Sequence, residues 1–279
     1  MTTALELADH RRELREQGFT IIPHALTPDQ LASARETLVE RARFEESDAS
    51  GWVNGGNQRV FGLVNKGQIF RDVAEHPLAL AMMKDMLVDP DRCGATMLAE
   101  HLEGIEFLLF SLTANIALPG CPLGVMHQDQ TAVASPWPRT FVGNVIWMLD
   151  DFTEENGATR FVPGTQDLRE VRCWPDSDED YGDPVPVIGK AGSAFVFNGR
   201  ILHQSGANRS AEKRHALLAA YCVPYLRSQE NYSRMIDAGE VPNLSPNLRR
   251  LLGFETYFEF GNVDGFAKDV RLTMEDAET

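Results

Sequence analysis

The chain has little that would tie it to nucleic acid, to a membrane or to an oxidising compartment. Its 26 Lys and Arg are outnumbered by 41 Asp and Glu, giving a formal net charge of −15. No basic stripe stands out, so the electrostatic footprint of a nucleic-acid binder is missing, and anionic partners such as membrane surfaces are mildly repelled. Cysteine is sparse: Cys93, Cys121, Cys173 and Cys222 lie far apart and form no CxxC pair. That argues against a zinc site or a disulfide scaffold and for reduced, mostly buried thiols. No apolar run approaches the roughly 18 residues of a membrane span. Met1 to Arg15 is charged throughout, without the apolar core of a signal peptide, so the expectation is a cytoplasmic protein. The sequence has no internal repeat and no low-complexity linker.

Hydrophobic residues make up 43% of the 279 positions, enough for a sizeable core. One catalytic domain over 1–279 is expected, with a helical layer over about 1–90, a β core over about 94–225 and a helical tail over about 228–279. Leu5 to Gln17 reads as a polar helix closed by Gly18, and Phe19 to Pro23 as a short strand. Thr27-Pro28-Asp29-Gln30 has the form of a capping box with proline in the first turn, followed by Leu31, Ala34, Leu38 and Ala42 at helical spacing. Asp48 to Gln58 reads as a loop, and Pro77 to Leu87 as a second helix. Further on the period changes. Phe107–Ile116, Thr140–Leu149, Ala194–Phe197 and His215–Val223 are short runs rich in β-branched and aromatic residues, separated by turn clusters. Helices followed by many short strands predict an antiparallel sandwich or barrel with a helical layer against it. The acidic stretch Glu170–Pro186 reads as a long loop.

Three features of the β region fit one chemistry. In Met126-His127-Gln128-Asp129 the imidazole and carboxylate are two residues apart, so on a strand they share a face. His203 follows the Asn198-Gly199 turn and can join them if the strands close into a barrel. Two histidines and one carboxylate on one face of an ion leave positions open, the arrangement of non-haem Fe(II) oxygenases. Arg214 comes eleven residues after His203 and heads an alternating strand with Ala216, Leu218, Ala220 and Cys222 on its face. An arginine there is costly unless it meets an anion, and a guanidinium suits a carboxylate. Each piece alone has an ordinary reading, as hydrogen-bonded histidines or a salt-bridged arginine; the combination and its order favour the metal.

The sequence resembles the phytanoyl-CoA dioxygenase family of Fe(II)/2-oxoglutarate oxygenases. The resemblance rests on His127-Gln-Asp129, on Asn156-Gly-Ala-Thr-Arg-Phe-Val-Pro-Gly-Thr165, on His203-Gln-Ser205-Gly-Ala-Asn208-Arg-Ser210 and on Arg214, together with the opening Gly18-Phe-Thr-Ile-Ile. It implies a double-stranded β-helix (jelly-roll, cupin-like) barrel with flanking helices, in a mainly β chain. It implies His127, Asp129 and His203 as iron ligands, and Arg214 on the distal carboxylate of 2-oxoglutarate with help from Ser205 and Thr159. Gln128 is expected to reach the cosubstrate or substrate. Many relatives have Pro-Gly-Ser-His where this chain has Pro163-Gly-Thr165-Gln166, a departure expected to touch a turn. Cofactors would be Fe(II), 2-oxoglutarate and O2, with ascorbate as a candidate reductant. Asp129 occupies the position that related halogenases leave for halide, which disfavours halogenation. The implied reaction is oxidation of a C–H bond, hydroxylation first, in a small and hydrophobic secondary metabolite walled by Phe61, Leu63, Phe70 and Trp174. Asn65 is a second candidate for the pocket lining, while Trp147 reads as core. Acyl-CoA or amino-acid hydroxylation, a cupin-like metalloenzyme without 2-oxoglutarate, and a non-catalytic sandwich are the alternatives. The acidic chain has no Lys/Arg cluster for the phosphates of CoA. Oligomeric state stays open.

Overall fold

The computed structural model describes residues 4–47, 52–88, 105–170, 182–257 and 260–261. Cys93, His101, Cys173, Trp174, most of the expected acidic loop and the acidic end of the tail lie outside the described residues. Helix α1 (Ala4–Gln17) ends where Gly18 turns left-handed at φ 75° and returns its N–H to Leu14 O. Strand β1 (Phe19–Ile22) follows. The capping box is formed: Gln30 N donates to Thr27 Oγ1 at 3.2 Å and Thr27 N to Gln30 Oε1 at 3.0 Å, opening α2 (Pro28–Ser47). The stretch expected as a loop is instead a hairpin, β2 (Trp52–Asn54) and β3 (Asn57–Val60). Gly55 and Gly56 both have positive φ and make its two-residue turn, a signal that the abundance of small polar residues masked. Helices α3 (Gln68–Ala74) and α4 (Pro77–Leu87) complete the helical layer.

The β core adds β4 (Leu108–Ala117), β5 (Val142–Met148), β6 (Arg160–Phe161), β7 (Val185–Pro186), β8 (Ala194–Asn198), β9 (His203–Gln204) and β10 (Arg214–Cys222). They form a seven-stranded sheet in the order β1-β8-β5-β10-β4-β3-β2 and a three-stranded sheet in the order β7-β6-β9, antiparallel throughout. The sheets pack face to face: Ile146, Met148, Phe195, Phe197 and Ala216 of the large sheet share one cluster with Phe161 of the small one. The other face of the large sheet (Val145, Trp147, Leu217, Ala219, Tyr221) packs with Leu38, Phe70, Met82 and Leu87 of the helices in the main core. This is the expected jelly roll with flanking helices. Beyond β10 the expected helical tail holds only α5 (Tyr232–Met235) and α6 (Pro246–Leu251) among the described residues. No helix of the described residues is long and apolar enough to cross a membrane.

Candidate metal centre

The small sheet is extended by one residue pair. His127 and His203 face each other as an antiparallel bridge, with reciprocal N–H to O distances of 2.9 and 3.0 Å. Their rings lie 4.3 Å apart between centroids. Asp129 does not continue a strand as expected. It opens a 3-10 turn, Asp129–Ala132, held because its N–H and that of Gln130 both reach Gly199 O. Gly199 can approach this closely because it lacks a side chain: a Cβ there would sit 2.8 Å from Val142 O. The turn still brings the carboxylate to the histidines. Asp129 Oδ1 is 3.5 Å from His127 Nε2 and Oδ2 is 3.4 Å from His203 Nε2. Donor atoms of the three side chains lie within 4.8 Å of one another.

Both imidazoles are oriented by the same device. His127 Nδ1 bonds Val125 O at 2.9 Å and His203 Nδ1 bonds Ile201 O at 3.0 Å. A carbonyl only accepts, so Nδ1 carries the proton and Nε2 offers its lone pair toward Asp129. Burial keeps His203 below the usual imidazole range, only partly opposed by Asp129, which favours the neutral form that ligates metals. Phe197 walls the ring of His203 at 4.9 Å. Thr165 lies in a 3-10 turn, Thr165–Asp167, as expected of that departure. Its hydroxyl donates to Val162 O at 2.7 Å and accepts from Leu202 N at 3.0 Å, which braces the residue next to His203.

A cavity of about 840 Å³ opens beside the triad. Thr159 and Ser205 are on its wall, as is Gln128, whose amide also donates to Arg200 O at 2.7 Å. Arg214 begins β10 opposite Ala117, and its Nε and Nη2 have no hydrogen-bond partner although the residue is only 1% exposed. Burial pushes this guanidinium down to about 10, with Cys121 and Asp150 opposing, and its cation stacks over Phe152 at 4.4 Å.

The expected apolar wall is only partly there. Phe61 lines the cavity, but Leu63 and Phe70 are fully buried in the helical core, and Asn65 donates to Met235 O away from it. Trp147 is core, as read from the sequence. Two site features escaped the sequence. Arg59, one residue beyond the stretch read as loop, lines the cavity, where burial lowers its guanidinium and the charge of Asp129 opposes that. Gln130, fully buried, clamps Arg139 O and the N–H groups of Phe141 and Val142, fixing the approach to β5 behind the triad.

A profile described as Phytanoyl-CoA dioxygenase (PhyH) matches residues 14–216. Dioxygenase af480 of Aspergillus fumigatus is 31% identical over 89% of this chain and 77% of its own length. The Fe(II)/2-oxoglutarate-dependent dioxygenase nvfF of Aspergillus novofumigatus is 25% identical over 87% and 80%. Among solved structures, the epimerase SnoN in complex with Fe3+, alpha ketoglutarate and nogalamycin RO shares the fold with TM-score 0.60 and 21% identity, covering 84% of this chain and 91% of SnoN.

Proposed function

This chain belongs to the phytanoyl-CoA dioxygenase family, and from that premise we propose that His127, Asp129 and His203 hold the Fe(II) of a 2-oxoglutarate-dependent dioxygenase acting on a small metabolite. The carrying observation is the convergence of two imidazole Nε2 atoms and one carboxylate. Bonds of about 2.1 Å, usual for such donors on divalent ions, put neighbouring donor atoms about 3 Å apart, close to the 3.4 and 3.5 Å spacing here. The residues also suit the cosubstrate. The unpartnered Nε and Nη2 of Arg214 are a buried fork that a carboxylate completes, and Thr159 and Ser205 line the cavity. Gln128 borders that space and braces the backbone at Arg200.

When bound, iron and 2-oxoglutarate supply the oxidising power, O2 being consumed while 2-oxoglutarate becomes succinate and CO2 and a substrate C–H bond is oxidised. The chain positions, screens and neutralises. The carbonyls of Val125 and Ile201 hold Nδ1 of His127 and His203, so in the neutral imidazoles Nε2 is the free donor that faces Asp129. Arg59 and Arg214 balance the negative charge gathered by Asp129 and a bound diacid. Phe197, Ile146 and Leu218 keep the floor of the cavity apolar and limit water at the reacting carbon. Hydroxylation is the outcome proposed, in a single catalytic domain working in the cytoplasm.

Anaerobic mixing of the apoprotein with Fe(II) and 2-oxoglutarate tests this reading. A weak metal-to-ligand charge-transfer band in the visible, absent from His127→Ala, is expected; folded wild-type protein without a band would remove it.

A further inference from the structure

Strand β4 turns every second side chain into the cavity, and these are polar: Ser111, Thr113 and Asn115, all buried. Across β10 they face the small or apolar Ala220, Leu218 and Ala216. On the next strand Asn144 stands opposite Ala220 and also lines the cavity. Two amide atoms in this strip have no hydrogen-bond partner, Nδ2 of Asn144 and Oδ1 of Asn115, on residues only 7% and 8% exposed. A buried amide left unpaired costs stability, so an atom of this kind on a cavity wall is a candidate contact for a ligand.

The two amides stand at different ends of the strip. Asn115 donates weakly to Ser205 Oγ at 3.4 Å and pairs with Ala216, one step along the strands from the Arg214–Ala117 pair, so it sits with the cosubstrate. Asn144 is at the other end. Its partner Ala220 is six residues from Arg214 on β10, about 20 Å at the usual strand rise, so Asn144 stands at the end of the strip away from that arginine. Asn144 is nonetheless beside the metal, because its β8 partner Phe197 packs against the ring of His203. Around it Ile146, Leu218 and Phe197 supply apolar wall inside and Phe61, Leu123 and Val125 are exposed at the rim, while Ser111 across Ala220 adds a hydroxyl and Gln229 and Glu230 line the same cavity.

Resting on the iron-oxygenase reading, we propose that Asn144 selects a substrate that is apolar except for a carbonyl or hydroxyl oxygen, which its amide holds next to the triad. Oxidation then falls on a carbon near that oxygen, and a substrate without one loses its anchor.

The test uses the full chain as its anaerobic Fe(II)·2-oxoglutarate complex. The probes are matched pairs of cyclic ketones or alcohols and their parent hydrocarbons, of about ten to twenty carbons to suit the cavity. Binding is read from the shift of the charge-transfer band. Oxygenated members should bind at least about tenfold tighter than their hydrocarbons. Asn144→Leu should remove that preference, leave the unshifted band intact and raise the Tm of the apoprotein by removing an unpaired amide. Should leucine not be accommodated, Asn144→Ala should abolish the preference equally. Hydrocarbons binding as tightly, a preference surviving both substitutions, or no probe moving an intact band would each overturn the proposal. Absence of the band from wild type would bring down the iron reading, and this inference with it.

Discussion

The two faces of the large sheet are built from the same strands and do opposite things. Toward the helices, β4, β5 and β10 present Leu112, Ala114, Ile116, Val145, Trp147, Leu217, Ala219 and Tyr221, all within one apolar cluster. Toward the small sheet the same strands carry Ser111, Thr113, Asn115, Asn144 and Arg214, buried and in part unpaired. Stability is concentrated on the first face and chemistry on the second. The alternation of side chains along a strand lets one be tuned without touching the other.

Cutting into the outer face should give the largest effect. Trp147→Ala opens a cavity in the helical core and should cost roughly 3–5 kcal/mol by chemical denaturation, while the remaining folded protein keeps its charge-transfer band. Loss of the band from folded Trp147→Ala protein would mean the faces are not independent. On the inner face Arg214→Met should raise the 2-oxoglutarate needed for half-saturation by about a hundredfold, near 2.7 kcal/mol. The same change removes an unpaired buried cation, so without cosubstrate the variant should be at least as stable as wild type; a clearly lower Tm would make Arg214 a structural residue. The smallest effect lies at the seam. Asp150 accepts from His215 N at 2.8 Å, His215 Nδ1 at 2.6 Å and Arg35 Nε at 2.7 Å, tying α2 to the start of β10. Burial alone would raise its carboxyl, but the bonds from His215 and Arg35 outweigh it and hold the group at about 2. A depressed folded value means stability that is present above the unfolded value near 4 and lost as pH falls from about 4 toward 2, on the order of 2 kcal/mol. Asp150→Asn should lose that much at pH 7 and flatten the acid limb of the unfolding curve; an unchanged limb would assign the acid sensitivity elsewhere.

The same contrast explains what could be read in advance. The capping box at Thr27 and Gln30, the Pro77–Leu87 helix and the apolar runs of β4, β5, β8 and β10 are local patterns, and they formed where local chemistry put them. The triad was legible through its motif and order, although Asp129 reaches it from a 3-10 turn and not from a strand. The polar strip on β4 was not. Period-two alternation says that a strand has two faces but not which one meets water, and the usual assignment of Ser, Thr and Asn to solvent fails where the inner face lines a cavity. Arg59 and Gln130 were hidden for a related reason, since each matters only through partners made near by the fold.

The carbonyl of Val125 holds His127 in register, while its side chain stands 72% exposed on the cavity rim. A change of residue at 125 therefore rewrites what an incoming molecule meets and leaves untouched the main-chain atom that sets the imidazole. The carbonyl of Ile201 sets His203 in the same way, but there the side chain is buried in the core between the sheets and does not reach the entrance. Because the placement of His127 is written in backbone and the entrance beside it in side chains, the entrance can drift toward new molecules by single substitutions without moving that imidazole.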